Sequence, residues 1–360
     1  MTGSHTQVLL LGAALGVVGC SESVASFHSP SAGSAGESSA SAAGAGGVAG
    51  TRTTGGAGQG GGIGGSSSEA GSAGVSTAGA SGGGSGGAGG SGGSGGDAAI
   101  VTCPHAALAP GNHEGTLEHD GIERSFVVHV PPIFDNTRAL PLVLNFHGAT
   151  STKEAQESLS QMDDKADAEG FIVAYPEGVS LYWNAGTCCE SASANNVDDV
   201  GFARALVAQV SSEVCVDPKR VFATGFSNGG RMSYRLGCEA ADLFAAIAPV
   251  AGIKSFPDQM NSPGCTPSRA IPLLDIMGTA DERVASQPGQ IAEWLAFNGC
   301  SGEPEETYRQ GAHVCHTYSA CSAGTSVTYC TVQDVAHTWP NVDGFSTNEL
   351  VWDLFSRSSL

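Results

Sequence analysis

Between His28 and Asp97 the chain is written almost entirely in Gly, Ser, Ala and Thr, and no aromatic residue follows Phe27 until Phe126. A tract of that composition cannot bury enough apolar surface to offset the entropy of ordering it. The 360 residues, 53 of them unevenly spread glycines, therefore reduce to one foldable segment, residues 100–360. Residues 21–99 read as a disordered linker, whose 70 or so Gly/Ser-rich residues have an r.m.s. span of roughly 45 Å.

The first 20 residues read as an export signal. Val8 to Val18 is an apolar run too short to cross a bilayer comfortably but suited to a signal-peptide core, and it ends in Val17-Val18-Gly19-Cys20. That ending is similar to a bacterial lipobox, which makes Cys20 the expected lipidation site, although Met1 to Gln7 carries no Lys or Arg. The remaining ten cysteines, Cys103, Cys188, Cys189, Cys215, Cys238, Cys265, Cys300, Cys315, Cys321 and Cys330, all lie in the foldable segment. An even, dense set in an exported chain reads as disulfides, with the adjacent Cys188 and Cys189 expected in two separate bridges. His313-Val314-Cys315-His316 is the rival metal-like cluster, but no C-x-x-C pair accompanies it and no metal is expected.

Charge narrows the partners. The chain carries a net charge of −20, and residues 100–360 hold 31 acidic against 14 basic residues. Such a surface repels phosphate backbones and anionic lipid, so nucleic acid is excluded and the membrane is expected to be met only through the lipid anchor.

Short apolar runs rich in branched residues predict strands at Phe126–Val130, Leu142–Phe146, Phe171–Ala174, Val221–Gly225, Ala245–Val250, Ile271–Met277 and Val327–Val332. Helical patterns fall between several of them. Asp198 and Asp199 open one whose Val200, Ala203, Val207, Val210 and Val214 share a face; Asn228–Ala241, Pro288–Asn298 and Thr347–Ser356 are others. Alternating strands and helices imply an α/β fold with a mostly parallel sheet, helices on both faces, and the site at the carboxyl ends of the strands.

Gly225-Phe226-Ser227-Asn228-Gly229 fits the nucleophile pattern G-x-S-x-G, as do segments around Ser81, Ser85, Ser91 and Ser94 in the linker. Only Ser227 stands between a predicted strand and a predicted helix, where the sharp turn needs small residues on either side. A serine nucleophile needs a histidine base, and the base needs a carboxylate to fix its tautomer. Among the three histidines after Ser227, His337 follows the strand Val327–Val332, and Asp281 leaves the strand Ile271–Met277. The Asn228 and Ala149 N–H groups are the expected oxyanion donors, and His147 reads as structural, bonding its own loop.

In order, N-F-H-G-A-T, Y-W-N-A-G-T-C-C, D-D-V-G-F-A-R-A-L, C-V-D-P-K-R-V-F-A-T-G-F-S-N-G-G-R-M-S-Y-R-L, F-A-A-I-A-P-V-A-G, M-G-T-A-D and A-H-T-W-P cover nearly all of residues 103–360. This series resembles the secreted esterase family that includes feruloyl esterases and polyhydroxybutyrate depolymerases. The resemblance implies an α/β-hydrolase fold and carries the family triad onto Ser227, Asp281 and His337. Met277 and the pair Glu282-Arg283 depart from the family's acid loop, which often reads H-G-T-x-D followed by proline. Trp183 and Trp339 are candidate walls of an aromatic pocket. The expected activity is cofactor-free hydrolysis of feruloyl or acetyl esters on xylan-type polysaccharide, or of small esters, by an exported monomer. Hydroxyalkanoate polyester is the alternative substrate, and a non-catalytic surface lipoprotein is the alternative of another class.

If Cys20 carries lipid, full-length protein enters the detergent phase of a membrane extract, Cys20→Ala protein does not, and a domain beginning near Ala99 is soluble and equally active. Phase partition with mass spectrometry of the N-terminal peptide checks this; full-length protein found only in the aqueous phase with an unmodified Cys20 would contradict it.

Overall fold

The computed structural model describes residues 103–104, 108–186, 188–253 and 267–360. The leader, Cys20, the linker and Cys265 lie outside the described residues.

A ten-stranded sheet organises these residues: β1 (Gly111–His119), β2 (Ile122–Val130), β3 (Leu140–Phe146), β4 (Ile172–Pro176), β5 (Val216–Phe226), β6 (Ala246–Val250), β7 (Leu273–Gly278), β8 (Glu305–Gln310), β9 (His313–Tyr318) and β10 (Val327–Val332), in the order β1-β2-β4-β3-β5-β6-β7-β10-β9-β8. From β4 across to β10 every pairing is parallel. The outer pairs β1/β2, β2/β4, β10/β9 and β9/β8 are antiparallel.

Central strands read as unbroken apolar runs because both of their faces are covered. Leu142, Leu144 and Phe146 of β3 face one core while Val143 faces the other, and β5 divides likewise, with Val221 and Ala223 opposite Phe222. The first core is closed by α4 (Asp199–Glu213), α5 (Asn228–Glu239) and α6 (Gln287–Phe297), which follow α1 (Lys153–Ser160), α2 (Met162–Glu169) and α3 (Glu190–Ala194) in the chain. The second core is closed by α2 and α7 (Thr347–Ser356). The face expected of α4, from Val200 to Val214, is buried throughout, and Asp198 caps the helix by accepting from the Gly201 N–H at 2.9 Å. Asp199 instead turns inward to a buried ion pair with Arg124 at 2.8 Å.

Within the first core, Asp275 of β7 is fully buried and accepts from Tyr234 Oη and, at 2.6 Å each, from Gln287 Nε2 and Gln290 Nε2. Burial pushes its carboxyl up to about 6, against the opposing effect of those three donors.

The disulfides are Cys103–Cys215, Cys188–Cys189, Cys300–Cys321 and Cys315–Cys330, and Cys238 is disulfide-bonded as well. Cys188 and Cys189 bond each other rather than making two separate bridges, while Cys103, Cys300 and Cys315 pair with Cys215, Cys321 and Cys330. Cys103–Cys215 ties the start of the domain to β5 across 112 residues; loop closure on that scale is worth about 5 kcal/mol on the chain-entropy model. The metal-like run dissolves into sheet structure: the sulfur of Cys315 is bonded to Cys330 and the His316 ring stacks on Tyr329.

Helix α7 is held by aromatic stacking, Phe355 on Phe222 at 4.5 Å and Trp352 on Phe171 at 4.2 Å. Phe355→Ala removes a fully buried ring stacked on Phe222, five residues before Ser227, so it should cost about 3–5 kcal/mol of stability in urea denaturation. Rates of the folded fraction should stay unchanged.

Candidate active site

Ser227 sits in the turn from β5 into α5, with φ of 53°. A non-glycine residue held there stores roughly 1–3 kcal/mol of strain, which persists only when the surroundings fix it. They do. The Ser227 N–H donates to Val250 O at 2.9 Å, and a Cβ added at Gly229 would lie 2.0 Å from Phe146 O. At Gly225 it would lie 2.6 Å from the same oxygen. The two glycines are required because strand β3 and helix α5 meet backbone to backbone.

His337 Nε2 is 2.8 Å from Ser227 Oγ, and His337 Nδ1 is 2.6 Å from Asp281 Oδ2. Three residues separated by up to 110 positions are thus brought into one hydrogen-bonded line. The acid and base loops are sewn together: Thr279 N–H donates to Val332 O at 2.9 Å, Ala280 N–H to Val335 O at 3.0 Å, and Asp334 N–H to Thr279 Oγ1 at 2.8 Å. Gly278 permits this, since a Cβ there would be 2.1 Å from Val335 O.

Asp281 is 2 % exposed. Burial pushes its carboxyl up, but the bonds from His337 and from the Arg283 N–H, with both neighbours' charges, more than offset this and hold it below the ordinary value. The Arg283 N–H donates to Asp281 Oδ1 at 2.9 Å and its guanidinium lies 3.7 Å from the same oxygen. The residue that departs from the family pattern therefore supports the carboxylate. Glu282 is exposed and pairs with Arg283 at 3.3 Å, and Met277 is buried in the core.

Opposite the histidine, the loop after β3 passes close to the serine: a Cβ at Gly148 would be 3.5 Å from Ser227 Cβ. Neither the Ala149 N–H nor the Asn228 N–H has a protein acceptor among the described residues. His147 braces this loop. Gly178 N–H donates to His147 Nε2 at 2.9 Å, which puts the ring proton on Nδ1, where it donates to Gly148 O at 2.7 Å. Burial pushes the imidazole down to about 4, so the ring is neutral at pH 7.

The two tryptophans require correction. Trp183 is fully buried, its indole N–H donating to His147 O at 2.9 Å and its ring packed edge-on against Phe146. Trp339 is 3 % exposed, in the second core, and donates to Asn348 Oδ1 at 3.1 Å. Neither indole is open to a substrate ring; both brace loops. The half-buried aromatic beside His337 is Phe226, 4.8 Å from its ring.

Two supports escaped the sequence reading. The Asn228 side chain bonds the backbone of Trp183 in both directions, Oδ1 accepting from its N–H at 2.8 Å and Nδ2 donating to its carbonyl at 3.1 Å. Behind that loop, Asp199 accepts from the Asn184 N–H at 2.7 Å while paired with Arg124. Arg124, a lone cation at the head of an apolar strand, was the available signal.

No family model matches the chain. Feruloyl esterase B of Piromyces equi is 33% identical over 258 residues, 66% of this chain and 46% of the relative. The chain is thus matched to about half the length of that protein. A probable feruloyl esterase C of Aspergillus niger is 28% identical over 226 residues, 59% of this chain and 77% of the relative. The solved acetyl xylan esterase of Aspergillus awamori superposes with a TM-score of 0.53 at 15% identity, covering 68% of this chain and 99% of that one. The chain has the α/β-hydrolase fold and is similar over 258 residues to a feruloyl esterase. Its sheet order and strand-to-helix serine turn fit that fold.

The neutral His147 has a consequence for stability. With a pKa of about 4 when folded and about 6.5 when unfolded, it takes its proton only in the unfolded chain between those values. Its contribution to stability is therefore whole above pH 6.5 and lost as pH falls toward 4, by roughly 2–3 kcal/mol. Asp275, raised to about 6, acts oppositely in the same window, because the folded state binds the proton more readily. Urea denaturation at pH 7 and pH 4.5 should show His147→Gln losing less stability on acidification than wild type, by that amount.

Proposed function

We propose that this protein is an exported serine carboxylesterase that cleaves feruloyl or acetyl esters of plant cell-wall polysaccharide through an acyl-enzyme. The observation that carries the reading is the unbroken line Asp281–His337–Ser227, with the Gly148 loop alongside the serine and, among the described residues, no protein acceptor for the Ala149 or Asn228 N–H. Ser227 Oγ attacks the ester carbonyl while His337 Nε2 takes its proton. Asp281 holds the Nδ1 proton and stabilises the cation that forms. The Ala149 and Asn228 N–H groups receive the oxyanion. His337 returns the proton to the leaving alcohol, and water then releases the acid by the same route. No metal or cofactor enters this chemistry.

The substrate class rests on the relatives' names, feruloyl esterase and acetyl xylan esterase. Export rests on the disulfides, which persist in oxidising compartments. The N-terminal leader and a lipidated Cys20 provide the route and the anchor in this reading.

Ser227→Ala should remove several powers of ten in rate on a p-nitrophenyl ester while leaving the fold intact. Asp281→Asn should lower kcat steeply with little change in KM, and Glu282→Gln should be mild. Wild type should label with a fluorophosphonate and prefer methyl ferulate or acetylated xylan to hydroxybutyrate oligomers. Retention of more than about a tenth of turnover in Ser227→Ala would sink the assignment, and failure of wild type to label would favour a non-catalytic role. Faster cleavage of the oligomers would move the substrate to polyester.

A further inference from the structure

Asn228, the first residue of α5, is 1 % exposed, and its side chain is wholly engaged by the loop from Trp183 to Cys189. Beyond the two bonds to Trp183, its Nδ2 lies 3.4 Å from Cys189 Sγ. The loop closes on the same carbonyl, with Ala185 and Cys189 N–H donating to Trp183 O at 3.0 and 3.2 Å. The Cys188–Cys189 disulfide also lies against α5. Arg231, one turn further along the helix, reaches both sulfurs, 3.5 Å from that of Cys189.

A bond between adjacent residues closes almost no chain, so it contributes little loop-closure entropy to the fold, unlike Cys103–Cys215. Its effect is local: two sulfurs that would otherwise choose separate rotamers are fixed against Asn228 and Arg231. We infer that the Cys188–Cys189 disulfide is a positioning element for the oxyanion hole. It locks the loop that holds the Asn228 side chain, and so fixes the direction of the Asn228 N–H. This rests on the esterase reading and deepens it. Oxyanion donors act only when preorganised at hydrogen-bond distance, and loss of one costs about 10²–10³ in kcat; a loosened donor loses part of that.

The test compares wild type with Cys188→Ala/Cys189→Ala and Cys188→Ser/Cys189→Ser in the disulfide-intact protein. Thermal melting should be nearly unchanged in both. On p-nitrophenyl acetate the alanine pair should keep its KM within about twofold and lose about tenfold or more in kcat. Inhibition by phenylboronic acid, whose tetrahedral serine adduct places an oxygen between the same two donors, should weaken by a similar factor. The serine pair, which can still accept from Asn228 Nδ2, should recover part of both losses. An alanine pair with wild-type kcat, or one whose rate loss merely follows a lowered melting temperature, would overturn the inference, as would failure of both pairs to fold. A wild type inert toward both ester and fluorophosphonate would instead bring down the esterase reading, and this inference with it.

Discussion

The end of the sheet that carries Ser227 depends on one close approach, the backbone of Gly225 and Gly229 pressed against the carbonyl of Phe146. Added Cβ atoms at 2.6 and 2.0 Å leave no room for any side chain at either position. That contact fixes β3, β5 and the start of α5 relative to one another. It therefore forces Ser227 to φ 53°, aims its hydroxyl out of the sheet, and brings the Gly148 loop alongside. The histidine and the aspartate arrive from strands farther along the sheet, and a similar backbone contact, Gly278 on Val335, joins their loops before they reach the serine. Precision at the reacting atoms thus comes from backbone sterics, which relax less than side-chain packing does.

Around that frame, buried polar groups are each given a defined charge. Asp281 is held below its ordinary value by two neighbours, His337 and Arg283, whereas Asp275, deeper and with neutral donors only, is pushed the other way. His147 is kept neutral by burial and fixed in one tautomer by Gly178 and Gly148. The ion pair of Arg124 and Asp199 serves the loop behind the site, through the Asn184 N–H. Its burial makes it costly to break one partner alone. The same loop carries the paired cysteines, so support for the oxyanion side runs from β2 through α4 to α5.

Much of this was legible in the sequence, and the exceptions share a cause. Strands β3 to β7 and β10 announce themselves because they are buried on both faces and read as apolar runs. Strand β1, Gly111–His119, alternates half-buried and exposed residues, and β8 is exposed at nearly every position; neither gives a run to detect. Strand β9 gives no apolar run, and its cysteine and histidines suggest metal ligands instead, yet its register with β10 places Cys315 directly opposite Cys330. Helix α1 was missed because it buries Lys153, Gln156 and Ser160 rather than an apolar stripe.

The sequence by itself determined the α/β class and singled out Ser227, Asp281 and His337, which the fold joins in one hydrogen-bonded line, because strand burial and the glycine-flanked turn are local requirements written in consecutive residues. Only the tertiary structure decided which way Trp183 and Trp339 point, since an indole suits a core and a pocket equally well until its neighbours are known. Cysteine pairing was decided there too: ten thiols carry no connectivity in their spacing, and adjacency of Cys188 and Cys189 in the chain said nothing of whether their sulfurs would meet each other or reach elsewhere. The Asn228 clamp and the Arg283 support are contacts between segments far apart in sequence or turned by a single loop, and such contacts exist only once the sheet has brought their ends together.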